Sequence, residues 1–179
     1  MSNKKWHRTV VHAAALTALT AGGVLIPSAS ASAGTAYEWD LCNASDGECL
    51  GIFYSSDKGT KYIDSACFLT NRSVPDHWGR TENGGSVAVR YEYRNKGYNG
   101  GPTLYFSGAG GVGAKCLPNG YGGGEAIKNN AASAANQDYY PHTIYFNSGY
   151  GGAAQTVPSG RIYNLNSALK NQNASSSRG

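Results

Sequence analysis

Apolar residues are distributed in two different ways along this chain. From Val10 to Ile26 they run on without an Asp, Glu, Lys or Arg, behind a basic patch of Lys4, Lys5, His7 and Arg8. After Pro27 the small residues Ser28 to Ala33 end in Ala31-Ser32-Ala33, the small-x-small pattern that a signal peptidase reads. The apolar run falls short of the roughly 20 residues that span a bilayer. It predicts an export signal over residues 1–33, cleaved after Ala33. Beyond it the apolar positions come in short bursts, and no long stretch sets them at helical spacing. Leu50 to Tyr54, Ser86 to Tyr93, Thr103 to Phe106, Thr143 to Phe146, Ala154 to Val157 and Arg161 to Leu165 are bounded mostly by Gly, Asn, Pro or Ser and predict strands. Glu125 to Asn136 and Ser167 to Ser176, rich in Ala, Asn and Ser, predict a helical turn or an ordered loop each. The expected fold is all-β, a sandwich or barrel of short strands joined by glycine turns.

Composition sharpens this picture. Of the 25 glycines 23 follow the signal, as do all 13 tyrosines. Removing Lys4, Lys5 and Arg8 from the 15 basic residues leaves 12 against 11 acidic ones, and a net charge of +4 falls to +1. A nearly neutral surface without a Lys or Arg run gives little hold on phosphate, which argues against a nucleic-acid partner. All four cysteines, Cys42, Cys49, Cys67 and Cys116, lie in the exported part and predict two disulfides. The turn-forming loop between Cys42 and Cys49 favours their pairing, which leaves Cys67 for Cys116. No C-x-x-C or Cys/His clustering supports a zinc site.

The most informative pattern is a repeat. Tyr93, Tyr98 and Gly100 follow aromatic-x-x-x-x-aromatic-x-Gly, and Tyr145, Tyr150 and Gly152 follow it again. Ile127-Lys128-Asn129-Asn130-Ala131-Ala132-Ser133 lies downstream of the first and Leu169-Lys170-Asn171-Gln172-Asn173-Ala174-Ser175 downstream of the second, with six of seven positions identical or conservatively exchanged. Two matched blocks in one order indicate an internal duplication whose halves cover each other's apolar faces. In each half an aromatic enters a sharply folded hairpin, glycine takes the positive φ at its tip, and a downstream Ser or Asn bonds the bent backbone.

These motifs resemble the two Greek keys of a βγ-crystallin domain. With a signal peptide and disulfides, the chain is similar to the secreted bacterial peptidase inhibitors of βγ-crystallin-like fold, whose best-known members block metalloproteinases. The resemblance implies a disulfide-stapled Greek-key β-sandwich over residues 86–179, with keys at about 86–136 and 143–178. Residues 34–85 form an N-terminal β segment, in which Ile52-Phe53-Tyr54-Ser55-Ser56 echoes Ile144-Tyr145-Phe146-Asn147-Ser148. Lys58 and Thr60 stand where the second aromatic and the glycine belong, so this segment reads as a degenerate third key.

Two kinds of site follow from the resemblance. βγ-Crystallin-like domains often bind calcium through Asn/Asp-Asn/Asp-x-x-Ser/Thr-Ser, which points to Asn129, Asn130 and Ser133 and to Asn171, Gln172 and Ser175. Neither loop carries a carboxylate, so weak affinity is expected and no cofactor is required. Inhibition needs a stiff loop presented to the protease cleft. The first repeat is ten residues longer than the second between its glycine and its Asn-rich block and contains Lys115-Cys116-Leu117-Pro118. A disulfide at Cys116 anchors this stretch and Pro118 fixes φ beside it. Thermolysin-like proteases prefer a large apolar residue after the cut bond, which nominates Cys116-Leu117.

The expected partner is thus an extracellular protease, met by a monomer that touches no membrane once its signal is removed. An enzyme is not expected. His77 and His142 lack H-E-x-x-H spacing, and G-x-S-x-G is missing. Asp76 and His77, as neighbours in extended chain, face opposite sides. His142, beside Pro141, reads as a surface-loop residue. Trp39, Trp78, Tyr139 and Tyr140 suit a flat ligand such as a carbohydrate, although most such rings read as strand packing.

Overall fold

The computed structural model of the protein describes residues 34–42, 48–56, 58, 62–85, 87–94, 103–108 and 113–179. The expected export signal, Tyr98 and Gly100 lie outside the described residues, as does Thr60. Among the described residues the chain forms fourteen strands and a single 3-10 turn, Asn83–Gly85. In the first half these are β1 (Gly34–Glu38), β2 (Asp40–Leu41), β3 (Leu50–Phe53), β4 (Tyr62–Ser65), β5 (Cys67–Thr70), β6 (Gly79–Glu82) and β7 (Val87–Tyr91). They continue with β8 (Leu104–Ser107), β9 (Gly113–Cys116), β10 (Ser133–Asn136), β11 (His142–Asn147), β12 (Gly151–Val157), β13 (Arg161–Asn164) and β14 (Ser175–Arg178). No described helix is long and apolar enough to cross a membrane.

Two sheets repeat one plan. One has the order β13-β10-β3-β5-β2, the other β12-β11-β14. β3 runs antiparallel to β10 with Phe53 opposite Ser133 and Leu50 opposite Asn136. β11 runs antiparallel to β14 with Tyr145 opposite Ser175 and His142 opposite Arg178. The register is the same, position by position. Just before each Ser-led strand, Ala132 N–H donates to the Phe53 carbonyl (2.9 Å) and Ala174 N–H to that of Tyr145 (2.8 Å). The serines then reach past the strand: Ser133 Oγ donates to the Ser55 carbonyl and Ser175 Oγ to the Asn147 carbonyl, each at 2.6 Å.

The halves also hold each other. Asn129 N–H donates to the Asn173 carbonyl and Asn171 N–H to the Ala131 carbonyl, both at 2.8 Å. Both asparagines carry positive φ, 63° and 58°. Strand β13, from the second half, completes the sheet of the first, while Val74, from the first, bridges Ser176 in the sheet of the second.

This geometry moves the first repeat. The counterpart of Tyr145 is Phe53, not Tyr93, and the segment expected to be a degenerate third key supplies the hairpin strand of the first sheet. Tyr93 is fully buried instead, its ring edge-on to Tyr54 at 5.6 Å. The Ala- and Ser-rich segments correct a second expectation, because each holds a strand, β10 or the start of β14, after a turn. Every residue of β10 is buried, and its neighbours on both sides satisfy its backbone. That pairing outweighs the poor intrinsic strand preference of Ala, Ser and Asn.

Leu50, Ile52, Phe68, Ile127, Ile144, Val157, Leu165 and Leu169 form the main core between the halves. Full burial of such side chains stabilises by about 1.5–3 kcal/mol each. A second cluster, with Phe53, Ile63, Leu69 and Phe106, lies under the sheet β4-β9-β8. The disulfides are Cys42–Cys49 and Cys67–Cys116, as expected. The second ties β5 to β9, and in the chain-entropy description its 49-residue separation corresponds to about 4 kcal/mol. The remaining sheet, β1-β7-β6, is pinned by Arg80, which bonds Glu38, Glu82 and the Tyr91 hydroxyl.

Replacing either Ser133 or Ser175 by Ala leaves a hairpin carbonyl without its donor. Each change is expected to lower the unfolding free energy by about 1–3 kcal/mol, read from urea denaturation. Losses below about 0.5 kcal/mol in both variants would mean that the hydroxyls do not hold the hairpins.

Candidate functional site

One ordered surface feature is built around the β11–β12 hairpin. Its turn runs through Gly149 (φ 73°) and Tyr150 (φ 67°) into Gly152 (φ 80°). A Cβ on Gly152 would lie 3.0 Å from Asn147 Nδ2 and 3.2 Å from Phe146 Cβ, so the motif needs glycine there for space as well as for φ. Ser175 Oγ clamps both sides of the fold, donating to the Asn147 carbonyl and accepting from Tyr150 N–H at 3.0 Å. The rings of Tyr145 and Tyr150 meet edge to face at 5.9 Å across it. Beside this hairpin lies an open depression of about 380 Å³ lined by Lys128, Asn129, Phe146, Asn147, Ser148, Asn171, Gln172 and Ala174. It draws on both Asn-rich blocks, which the reciprocal backbone bonds bring side by side.

Lys128 Nζ donates to Asp76 Oδ1 at 3.0 Å and to Ser148 Oγ at 2.9 Å, placing an ammonium at the rim. Burial pushes the Asp76 carboxyl up, but the Trp78 N–H and Lys128 outweigh it and hold the group below the usual range. Asp76 therefore faces outward and His77 inward, as their adjacency predicts.

The residues nominated for calcium have other work. Ser133 and Ser175 are buried and spend their protons on the hairpin carbonyls, Asn130 Nδ2 donates to the Ala126 carbonyl, and Asn129 and Asn171 take the left-handed turns. Gln172 and the two turn asparagines do line the depression, but no carboxylate is among its lining residues. Without a carboxylate this donor set offers a divalent cation weak affinity at most. Millimolar Ca²⁺ is accordingly expected to leave the melting midpoint in place. A rise of several degrees would show a ligand bound to the native state and overturn this assignment.

Three buried polar side chains resemble a catalytic trio. His77 Nε2 lies 3.0 Å from Ser176 Oγ, and Nδ1 lies 2.8 Å from Asn173 Nδ2. Asn173 accepts from Ala131 N–H and donates to the Ile127 carbonyl, which fixes its amide orientation. Its second N–H therefore points at His77 Nδ1, so the imidazole proton sits on Nε2 and is donated to Ser176. That is the wrong tautomer for taking a proton from the serine, and all three residues are fully buried. They join the two halves rather than face a substrate. His142, expected at the surface, is also buried, because it begins β11 and bonds Asp138 at 2.9 Å. Asp138 accepts in addition from Arg178 Nε (2.6 Å) and Nη2 (2.8 Å).

Burial depresses His77 from 6.5 to about 3 and lowers His142 as well. Between these values the unfolded chain takes up a proton at His77 that the folded chain refuses. Stability then falls as pH falls, by about 1.4 kcal/mol per pH unit for one such group. Burial raises Asp138, but the bonds from Arg178 and His142 prevail and hold it down to about 2, so its stabilisation is lost only between pH 3.8 and 2. Urea unfolding is expected to give a free energy that declines from pH 6.5 to pH 4. A flat profile there would contradict a neutral, buried His77.

Lys115 and Cys116 lie on β9, the central strand of β4-β9-β8, and Cys116 is fully buried in its disulfide. Leu117 N–H donates to the Ser65 carbonyl at 3.0 Å. With its backbone paired, the Cys116–Leu117 bond is not offered to a protease cleft, and the nominated bond is corrected accordingly. What projects is the turn that follows Pro118, where Tyr121 is 74% exposed. Gly120 N–H donates to the Leu117 carbonyl, Ala66 N–H to that of Tyr121 and Gly124 N–H to that of Tyr93. Gly122 (φ 86°) lies flat on the Tyr54 ring, where any Cβ would collide. The glycines from Gly120 to Gly124 were the sequence signal for this rigid turn. Among the rings considered for flat ligands, Trp39, Trp78 and Tyr140 each sit under an arginine, Arg94, Arg90 and Arg178 respectively.

No protein-family model, characterised protein or solved structure matches this chain.

Proposed function

We propose that this chain is a secreted, two-key βγ-crystallin-like domain that inhibits a peptidase, a metalloproteinase in the first instance, by binding it through a stiff turn. The observation that carries the reading is the disulfide-anchored turn from Pro118 to Gly124. It is tied at three backbone points and floored by Tyr54, yet it holds Tyr121 in solvent. A segment ordered before it meets its partner loses little conformational freedom on binding. The fold reading is supported by the two identically registered, serine-clamped hairpins and by the exchange of a strand between the halves. On this reading the keys run from about Leu50 to Asn136 and from His142 to Arg178, with the long stretch between β5 and β10 carrying the inhibitory turn. The two disulfides and the Ala-Ser-Ala segment ahead of Gly34 support export to an oxidising compartment.

Titration of a thermolysin-like metalloproteinase with the purified protein is expected to abolish activity near equimolar ratio. Tyr121→Ala, which loses only an edge contact with the Tyr54 ring, should still fold, with a small fall in melting midpoint, and inhibit at least about tenfold more weakly. Full protease activity at stoichiometric excess would reject the inhibitor reading, while equal potency of the variant would reject this turn as the contact.

A further inference from the structure

The duplicated plan makes each residue of one hairpin comparable with its partner in the other. Tyr54 and Phe146 occupy equivalent places, one residue beyond the aromatic opposite the clamping serine. Tyr54 is covered: Tyr93 and Tyr121 lie edge-on to it at 5.6 and 5.1 Å, and Gly122 rests on its face. Phe146 has no such cover and is 40% exposed on the wall of the depression. Leaving a phenyl ring in water is unfavourable in proportion to its area, so the uncovered member of this pair marks a surface that gains from a ligand.

Around that ring stand four side-chain amides, those of Asn129, Asn147, Asn171 and Gln172, none of which has a hydrogen-bond partner among the described residues. Each amide offers donors and an acceptor side by side. Their backbones are held in place: Asn129 N–H donates to the Asn173 carbonyl, Asn171 N–H to that of Ala131 and Gln172 N–H to that of Leu169, while the Asn147 carbonyl accepts from Ser175 Oγ. The charge at the rim is already neutralised, because Lys128 is bonded to Asp76 and Ser148. Neither a metal cation nor a strongly anionic group finds an unpaired opposite charge. An extended peptide would need a backbone edge to join, but β11 is flanked by β12 and β14 and presents none here. What remains is a neutral ligand with one apolar face and a circumference of groups that both donate and accept, which describes a sugar ring. The volume of about 380 Å³ suits one or two rings.

We propose that this depression binds a neutral carbohydrate, with Phe146 beneath the sugar ring and the amides of Asn129, Asn147, Asn171 and Gln172 on its hydroxyls. The site shares no residue with the inhibitory turn, so either assignment stands or falls without the other. To test it, the ¹⁵N-labelled protein is titrated with soluble oligosaccharides of glucose, N-acetylglucosamine and mannose, each to about 10 mM. At least one series is expected to shift the side-chain amide resonances of these four residues. Phe146→Ala and Gln172→Ala, both at exposed positions, should keep the melting midpoint and bind at least about tenfold more weakly. The proposal is overturned if no series shifts those amides, if the shifts map elsewhere on the surface, or if both variants bind like the parent protein.

Discussion

One hydroxyl hydrogen bond, made twice, sets the geometry of this protein. Where the chain leaves its sheet after β3 and after β11, a carbonyl loses its ladder partner, and a buried carbonyl without a donor costs on the order of 1–3 kcal/mol. Ser133 and Ser175 supply that donor from the neighbouring strand, so the bend and the strand beside it are specified together. Serine suits the place because its side chain is short enough to reach the carbonyl without pushing the sheets apart. The small residues around it follow from the same constraint. Ala132, Ala134 and Ala135, and Ala174 in the other half, let the halves approach until their backbones exchange hydrogen bonds directly.

Much of this was legible in the residues. The six predicted strands all occur, within a few residues at their ends, because alternation and bounding turn formers are local signals. Both disulfides follow from the turn-rich loop between Cys42 and Cys49. The second hairpin was visible as Tyr145, Tyr150 and Gly152, since ring contact and positive φ at those places leave few residue choices. The first hairpin was misplaced for the complementary reason. Its register is fixed by pairing with a strand about 80 residues away, while Tyr93, which heads a matching aromatic spacing, is buried in the core. Strands such as β10 and β14 could not be read locally, because their stability comes from neighbours on both sides and not from their own composition.

The site followed a similar rule. The Asn-rich blocks were recognised, but not that Phe146 and Asn147 would stand beside them, since that proximity depends on how the halves dock. His142 shows the limit of a local cue: the proline before it suggested a loop, and the buried Asp138 that draws it inward lies one turn of chain away, with Arg178 arriving from the far end of the sequence. The two halves differ in what covers them. In the first, a long insertion folds back and roofs the hairpin, whereas in the second the short connection leaves the equivalent face bare.

The Cys67–Cys116 bridge closes a ring of polypeptide that contains β6, β7 and β8. A single backbone scission anywhere inside that ring would leave the two fragments covalently joined, and each would still be docked through the core and the paired sheets. Within that ring, being cut and falling apart are separate events.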